Sequence, residues 1–154
     1  MLMQKTKIFI KSILIPVIVG GVVGIIISNS IDYNTLQKPL LSPPSILFPI
    51  VWTILYILMG ISYGILEIKK LIDKKINTIY YIQLAVNALW SILFFTLKWR
   101  LFSFFWIILL IILVIIMTNK FYKKNKVSGL LQIPYIIWLL FAAYLNLGVY
   151  ILNK

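Results

Sequence analysis

The sequence predicts an all-α integral membrane protein, a bundle of five transmembrane helices, on three observations. Five stretches, 12–31, 39–66, 77–97, 101–119 and 127–153, contain no Asp, Glu, Lys or Arg, and the shortest is 19 residues long. A helix needs roughly 20 mostly apolar residues to cross the hydrocarbon core. The chain is 62% hydrophobic over 154 residues, with a mean hydropathy of +1.04. A water-soluble domain of that size has too much surface to hide so much apolar area. The runs are continuous, without the alternation of short strands that a membrane β-barrel requires. Backbone groups in lipid must then be satisfied within each segment, which selects helices.

The expected helices are about 8–30, 46–67, 77–97, 101–121 and 129–151, forming one domain over 1–154. The first follows Lys5, Lys7 and Lys11 and ends at Ser28-Asn29-Ser30. This layout faintly resembles a signal peptide, but the apolar run is longer than a usual one, so it reads as a retained helix. The second begins after Pro39, Pro43 and Pro44, which disfavour helix before it. That proline-rich loop reads either as a lid over a cavity or as a rigid connector. The third and fourth are joined only by Lys98-Trp99-Arg100, so they must be adjacent and antiparallel. The fifth carries Trp138, Ala142 and Leu145-Asn146 at helical spacing.

The 15 basic residues against 3 acidic ones, net +12, sit at the span ends. There they anchor and orient the helices, so nucleic-acid binding is not the reading of this charge. Eleven of the 15 fall on the N-terminal side: Lys5, Lys7, Lys11, Lys69, Lys70, Lys74, Lys75, Lys120, Lys123, Lys124 and Lys126. Lys38, Lys98, Arg100 and Lys154 fall on the other side. The positive-inside rule predicts a cytoplasmic N-terminus and an outside C-terminus. The Ile, Lys and Asn bias is compatible with an AT-rich bacterial genome, and the expected location is a bacterial cell membrane.

There is no Cys and no His. Thiolate chemistry is excluded, and the commonest metal ligand, haem ligand and acid–base group are missing, so no metal site is expected. No span carries a charge in its interior, which argues against ion-coupled transport and acid–base hydrolysis. Amide and aromatic chemistry remains. Gln83, Asn87 and Trp90 share one helical face, which must turn inward because amides facing lipid are costly. They read either as interhelical hydrogen bonds or as a polar anchor in an apolar pocket. Phe48, Trp52 and Tyr56 form an aromatic stripe on the second helix. Ala142 would leave room beside Trp138. Gly20 and Gly24 read as a site of close helix approach.

The run Lys38-Pro39, Ser42-Pro43-Pro44, Phe48-Pro49, Val51-Trp52-Thr53, Leu55-Tyr56, Met59-Gly60 resembles the hallmark of the TspO/MBR family. This is the family of tryptophan-rich sensory proteins and the mitochondrial translocator, or peripheral benzodiazepine receptor, protein. Gln83, Asn87, Trp90 and Phe94-Phe95 match its third helix. Pro134-Tyr135, Trp138, Phe141-Ala142 and Tyr144-Leu145-Asn146 match its last.

The resemblance implies a compact bundle, usually a homodimer in the lipid bilayer. It implies a pocket near the first loop for porphyrins, sterol-like lipids and isoquinoline or benzodiazepine-type ligands. Carried over by position, the pocket would use Trp52, Tyr56, Asn87, Trp90, Trp138 and Ala142. Phe48, Gln83 and Leu145 join it from the helical faces above, and Pro43 and Pro44 would belong to the lid. No cofactor is required, and protoporphyrin or haem is the expected kind of ligand. The leading expectation is a membrane receptor or carrier. The alternative is a light- and oxygen-dependent protoporphyrin-degrading enzyme using Trp52 and Trp138. A structural or regulatory membrane partner is the third reading. Asp32 and Leu41 depart from the family, since many members carry tryptophans there.

Overall fold

The computed structural model describes residues 1–154 and is helical throughout, with no strand. Helix α1 spans Leu2–Ile27, α2 Leu47–Ile68, α3 Lys74–Ser91, α4 Arg100–Lys124, α5 Lys126–Leu130 and α6 Ile133–Leu152. A π-helical turn, Ile92–Thr96, extends α3, and α5 and α6 together make the fifth span. All five spans are long and apolar enough to cross a membrane. The chain is an integral membrane protein.

The helix ends follow local chemistry. Helix α1 starts at Leu2 rather than near residue 8, because nothing in the lysine-bearing segment opposes helix. Helix α3 starts at Lys74 rather than 77. The Asp73 carboxylate accepts the Ile76 backbone N–H at 2.8 Å and caps it. The fifth span is not continuous. Asn125 caps α5 by accepting from the Ser128 N–H at 3.1 Å, and Pro134 stands in the first turn of α6.

The bundle has two ends. One, the lysine end, holds the N-terminus and the turns at 69–73 and 125. The other, the loop end, holds residues 31–46, the 97–99 turn and the C-terminus. At the lysine end α1 and α2 pack against each other closely. A Cβ on Gly60 would overlap the Ile13 Cα and the Ser12 carbonyl, and one on Gly64 would press the Phe9 ring. Pro16 lies inside α1 and has no N–H for the Ser12 carbonyl, so that oxygen is free at the point where Gly60 arrives. Helix α4 lies between α3 and α6 and contributes fully buried Ile107, Leu110, Val114 and Met117.

Toward the loop end, the space between α1, α2 and α6 widens. The 31–46 loop crosses this opening. Leu41 takes a left-handed φ of 67° in it, which a non-glycine residue adopts only under constraint from its surroundings. Gln37 and Asn153 exchange hydrogen bonds of 3.0 and 2.8 Å, and the Tyr144 hydroxyl donates to the Leu40 carbonyl at 2.6 Å. Pro39 lies on Gly148, where a Cβ would collide with the proline ring.

Candidate functional site

The widened end encloses a cavity of about 440 Å³. Its walls come from every span except α4. Val17, Gly20, Gly21, Val23, Gly24 and Ile27 line it from α1, and Ile31, Tyr33 and Ser45 from the loop. Phe48, Pro49, Trp52, Thr53 and Tyr56 come from α2. Trp90, Ser91, Phe94 and Phe95 come from the end of α3 and its π turn. Trp138, Ala142, Leu145, Asn146 and Val149 complete it from α6. No charged side chain is among them. Gly21, Gly24, Pro49 and Thr53, from α1 and α2, are exposed residues of the wall.

Trp52 is the hub of the aromatic wall. Its ring stacks on Tyr56 at 5.7 Å between centroids, faces Trp90 at 6.3 Å and meets Trp138 edge-on at 6.5 Å. Tyr33 reaches down from the loop onto Phe48 at 5.0 Å, and Phe48 meets Trp138 at 5.9 Å. Offset and edge-on pairs of this kind add about 0.5–1.5 kcal/mol each beyond area burial. They also present flat faces at several inclinations around one space.

Most polar groups around the cavity are already paired. The Tyr56 hydroxyl donates to Asn87 Oδ1 at 2.8 Å, and Trp90 Nε1–H donates to Asn146 Oδ1 at 3.0 Å. The Thr53 hydroxyl donates to the Pro49 carbonyl at 2.7 Å, and the Tyr33 hydroxyl to the Pro43 carbonyl at 2.8 Å. Trp138 Nε1–H is different: it is buried and has no protein acceptor. The Trp138 ring lines the cavity, while its N–H is buried against protein.

Residues 12–152 match the TspO/MBR family. The chain belongs to this family. It is 38% identical over 147 residues to "Tryptophan-rich protein TspO" of Archaeoglobus fulgidus, covering 94% of this chain and 95% of that protein. It is 36% identical over 137 residues to "Protein CrtK" of Rhodobacter capsulatus, covering 87% and 86%. A "Translocator protein homolog" of Schizosaccharomyces pombe shares 31% over 145 residues, covering 91% and 88%.

In this TspO/MBR protein the residues expected at the site divide into two sets. Phe48, Trp52, Tyr56, Trp90, Trp138, Ala142 and Leu145 all line the cavity. Gln83 and Asn87 do not. They lie below its floor, fully buried, in a hydrogen-bonded layer between α2, α3 and α6. Asn87 Nδ2 donates to the Tyr135 hydroxyl at 2.6 Å, and that hydroxyl donates to Gln83 Oε1 at 2.9 Å. Tyr135 of α6 thus takes both amides as partners. Pro43 and Pro44 do not line the cavity either. The loop contributes Ile31, Tyr33 and Ser45 instead, and Pro43 acts through the carbonyl that holds Tyr33. Only Gly20 of the α1 glycines is a close-approach position, under the Tyr56 ring. Gly21 and Gly24 have open space beside them.

Two loop-end residues escaped the sequence reading. Arg100 Nη2 donates to both oxygens of Asp32, at 2.9 and 2.7 Å, and Lys98 Nζ lies 3.4 Å from the same carboxylate. Burial pushes the Asp32 carboxyl up. The hydrogen bond and charge of Arg100, helped by Lys98, outweigh that and hold it below the usual carboxylate range. The one available clue was an acidic residue facing a basic turn across the same end of the bundle. No group of three or more His, Cys, Asp or Glu side chains comes together anywhere in the chain.

Proposed function

We propose that this protein binds a flat, largely apolar ligand of the porphyrin or isoquinoline class within the bundle, as a membrane receptor or carrier. The observation that carries this reading is the uncharged cavity of about 440 Å³ with Trp52, Trp90 and Trp138 in its wall. That volume lies in the range of small-molecule sites, and the mixture of stacking faces with few polar groups is typical of them. Stacking on the Trp52, Trp90 and Trp138 rings would supply most of the affinity. Asn87 supports the floor and does not touch the ligand. The names of the relatives, "sensory" and "translocator", agree with a binding role for the family and leave the ligand open.

Light- and oxygen-dependent porphyrin breakdown is the second reading. What favours it is that Trp52 and Trp138, the two oxidisable side chains it needs, share the cavity wall at 6.5 Å. One titration separates the two. Protoporphyrin is added to protein in lipid nanodiscs, in the dark and under illumination. Saturable quenching of tryptophan fluorescence with an unchanged porphyrin absorption band supports the receptor. Loss of the band that requires both Trp52 and Trp138 supports the enzyme. Absence of quenching sinks both.

The lysine end is proposed to face the cytoplasm of a bacterial cell, with the cavity toward the outer leaflet. A cysteine in place of Lys154 that reacts only after permeabilisation would overturn this. Two copies are proposed to pair in the membrane, a point that the mass of the protein in nanodiscs decides.

A further inference from the structure

We propose that the Asp32–Arg100 ion pair is a clasp that holds the 31–46 loop closed over the cavity and positions the Trp90 side of its wall. The inference rests on the cavity being the binding site. Neither residue lines the cavity, so both act through others. Asp32 lies between Ile31 and Tyr33, and both of these neighbours do line it. Holding the carboxylate therefore holds two contacts of the loop at once.

The other half of the clasp is just as closely tied to the wall. The Arg100 carbonyl accepts Asn146 Nδ2–H at 2.7 Å, and Asn146 Oδ1 accepts the Trp90 indole N–H at 3.0 Å. The Arg100 guanidinium also lies 5.5 Å from the Phe94 ring centroid, and Phe94 is a cavity residue. One arginine thus links the loop, through its side chain, to two aromatic wall residues.

The pair is built to matter. The side chains of Arg100 and Asp32 are only 13% and 23% exposed, so water screens them incompletely. A single guanidinium nitrogen reaches both carboxylate oxygens, and such charge-assisted hydrogen bonds are roughly twice as strong as neutral ones. The other hydrogen bonds from the loop to α6 and the C-terminus, Gln37 with Asn153 and Leu40 with Tyr144, are uncharged and exposed, where water competes for the same groups. Lys98, 53% exposed, reinforces Asp32 from the solvent side. The charged clasp therefore sits at the start of the loop, directly over the cavity, and the weaker ties secure its far part.

The test reads loop opening without a ligand. The chain has no cysteine, so Ala142→Cys places one thiol inside the cavity. Its labelling rate by a sulfonated, membrane-impermeant thiosulfonate is measured in phosphatidylcholine nanodiscs. Asp32→Asn in that background should speed labelling about tenfold, corresponding to the loss of about one strong ion pair. Arg100→Lys keeps the charge but loses the planar guanidinium that reaches Asp32 while lying beside the Phe94 ring, so it should fall between. In the Asp32 chain the rate should also rise with salt from about 0.01 to about 1 M, as the screening length falls from about 30 to about 3 Å. Asp32→Asn should abolish that rise. Equal labelling rates in a folded Asp32→Asn protein would overturn the clasp. If that variant does not fold, a salt-independent rate in the Asp32 chain overturns it instead. Protoporphyrin binding is measured separately, so a chain that opens as stated yet binds no porphyrin sinks the ligand reading and leaves the clasp standing.

Discussion

The two ends of the α1–α2 pair use the same residue type for opposite purposes. At the lysine end Gly60 and Gly64 lack side chains because α1 occupies that space, with the Ser12 carbonyl and Ile13 Cα against Gly60. At the loop end Gly21 and Gly24 have nothing within 4 Å of where a Cβ would stand, and both border the cavity. One pair of glycines brings backbones together; the other leaves open space beside the cavity. In lipid, where burying apolar area against a helix gains little over burying it in acyl chains, close backbone packing is a principal source of helix association. The tight end therefore supplies a rigid base, and the loose end can remain hollow.

The largest effect should come from attacking the tight end. Gly60→Val places a branched side chain against backbone atoms that cannot rotate away. Overpacking of this kind costs about 1–3 kcal/mol, and more where backbone is the obstacle. Thermal unfolding in detergent should show a large fall in midpoint or no folded protein. A midpoint within a degree or two of the parent would mean that α1 and α2 are not held together there.

Asn87→Leu should come next, and it sharpens the line between floor and wall. The change leaves the hydroxyls of Tyr56 and Tyr135 without their shared partner. An unsatisfied buried group costs about 1–3 kcal/mol. Stability should fall, while the affinity of the surviving protein for protoporphyrin stays within about twofold, well under 1 kcal/mol. A tenfold loss of affinity at unchanged stability would move Asn87 into the site.

Ala142→Leu acts on the hollow end. The side chain faces the cavity, which has room for it, so the fold should hold. The added volume takes ligand space, and a steric cost of about 1–3 kcal/mol would weaken protoporphyrin binding by about tenfold or more. Full affinity in a folded variant would remove the α6 wall from the site.

Gly24→Ala should have a small effect of the opposite sign to that at Gly60. Open space surrounds the position, and alanine favours helix over glycine by roughly 0.5–1 kcal/mol. The unfolding midpoint should rise slightly. A fall as large as that of Gly60→Val would erase the distinction between the ends.

The smallest expected effect is none at all. Asp32 has its folded-state pKa lowered, so its stabilising contribution is complete above the unfolded value and is lost only as pH falls through the folded one. That window lies at and below about pH 4, given an unfolded aspartate near 3.9. With no histidine in the chain, loop opening should be flat from about pH 5 to about pH 8. Labelling follows the thiolate fraction, which itself rises with pH, so the readout is the ratio of the Asp32→Asn rate to the parent rate at each pH; a step in that ratio inside the range would show that the clasp is misassigned.

The sequence alone determined the solvent and the architecture. Charge-free runs of 19 residues or more admit one stable arrangement of backbone hydrogen bonds in lipid, and the chain has five of them. The aromatic stripe Phe48, Trp52, Tyr56 and the later Trp138 and Ala142 were equally legible, because helical periodicity ties side chains to faces whatever the neighbours are. What periodicity cannot specify is the distance from one face to the next. Gln83 and Asn87 stand on the same inward face as Trp90. Only the placement of α6 decided that Tyr135 would take both amides and leave Trp90 at the cavity. Likewise Gly20 and Gly24 look alike in the chain, and only the splay of α1 from α2 made one a contact and left the other beside open space. Asp32 and Arg100 are 68 residues apart, so no local pattern links them. Their pairing follows from five helices closing one end of the bundle, a property of how the spans pack and not of any span by itself.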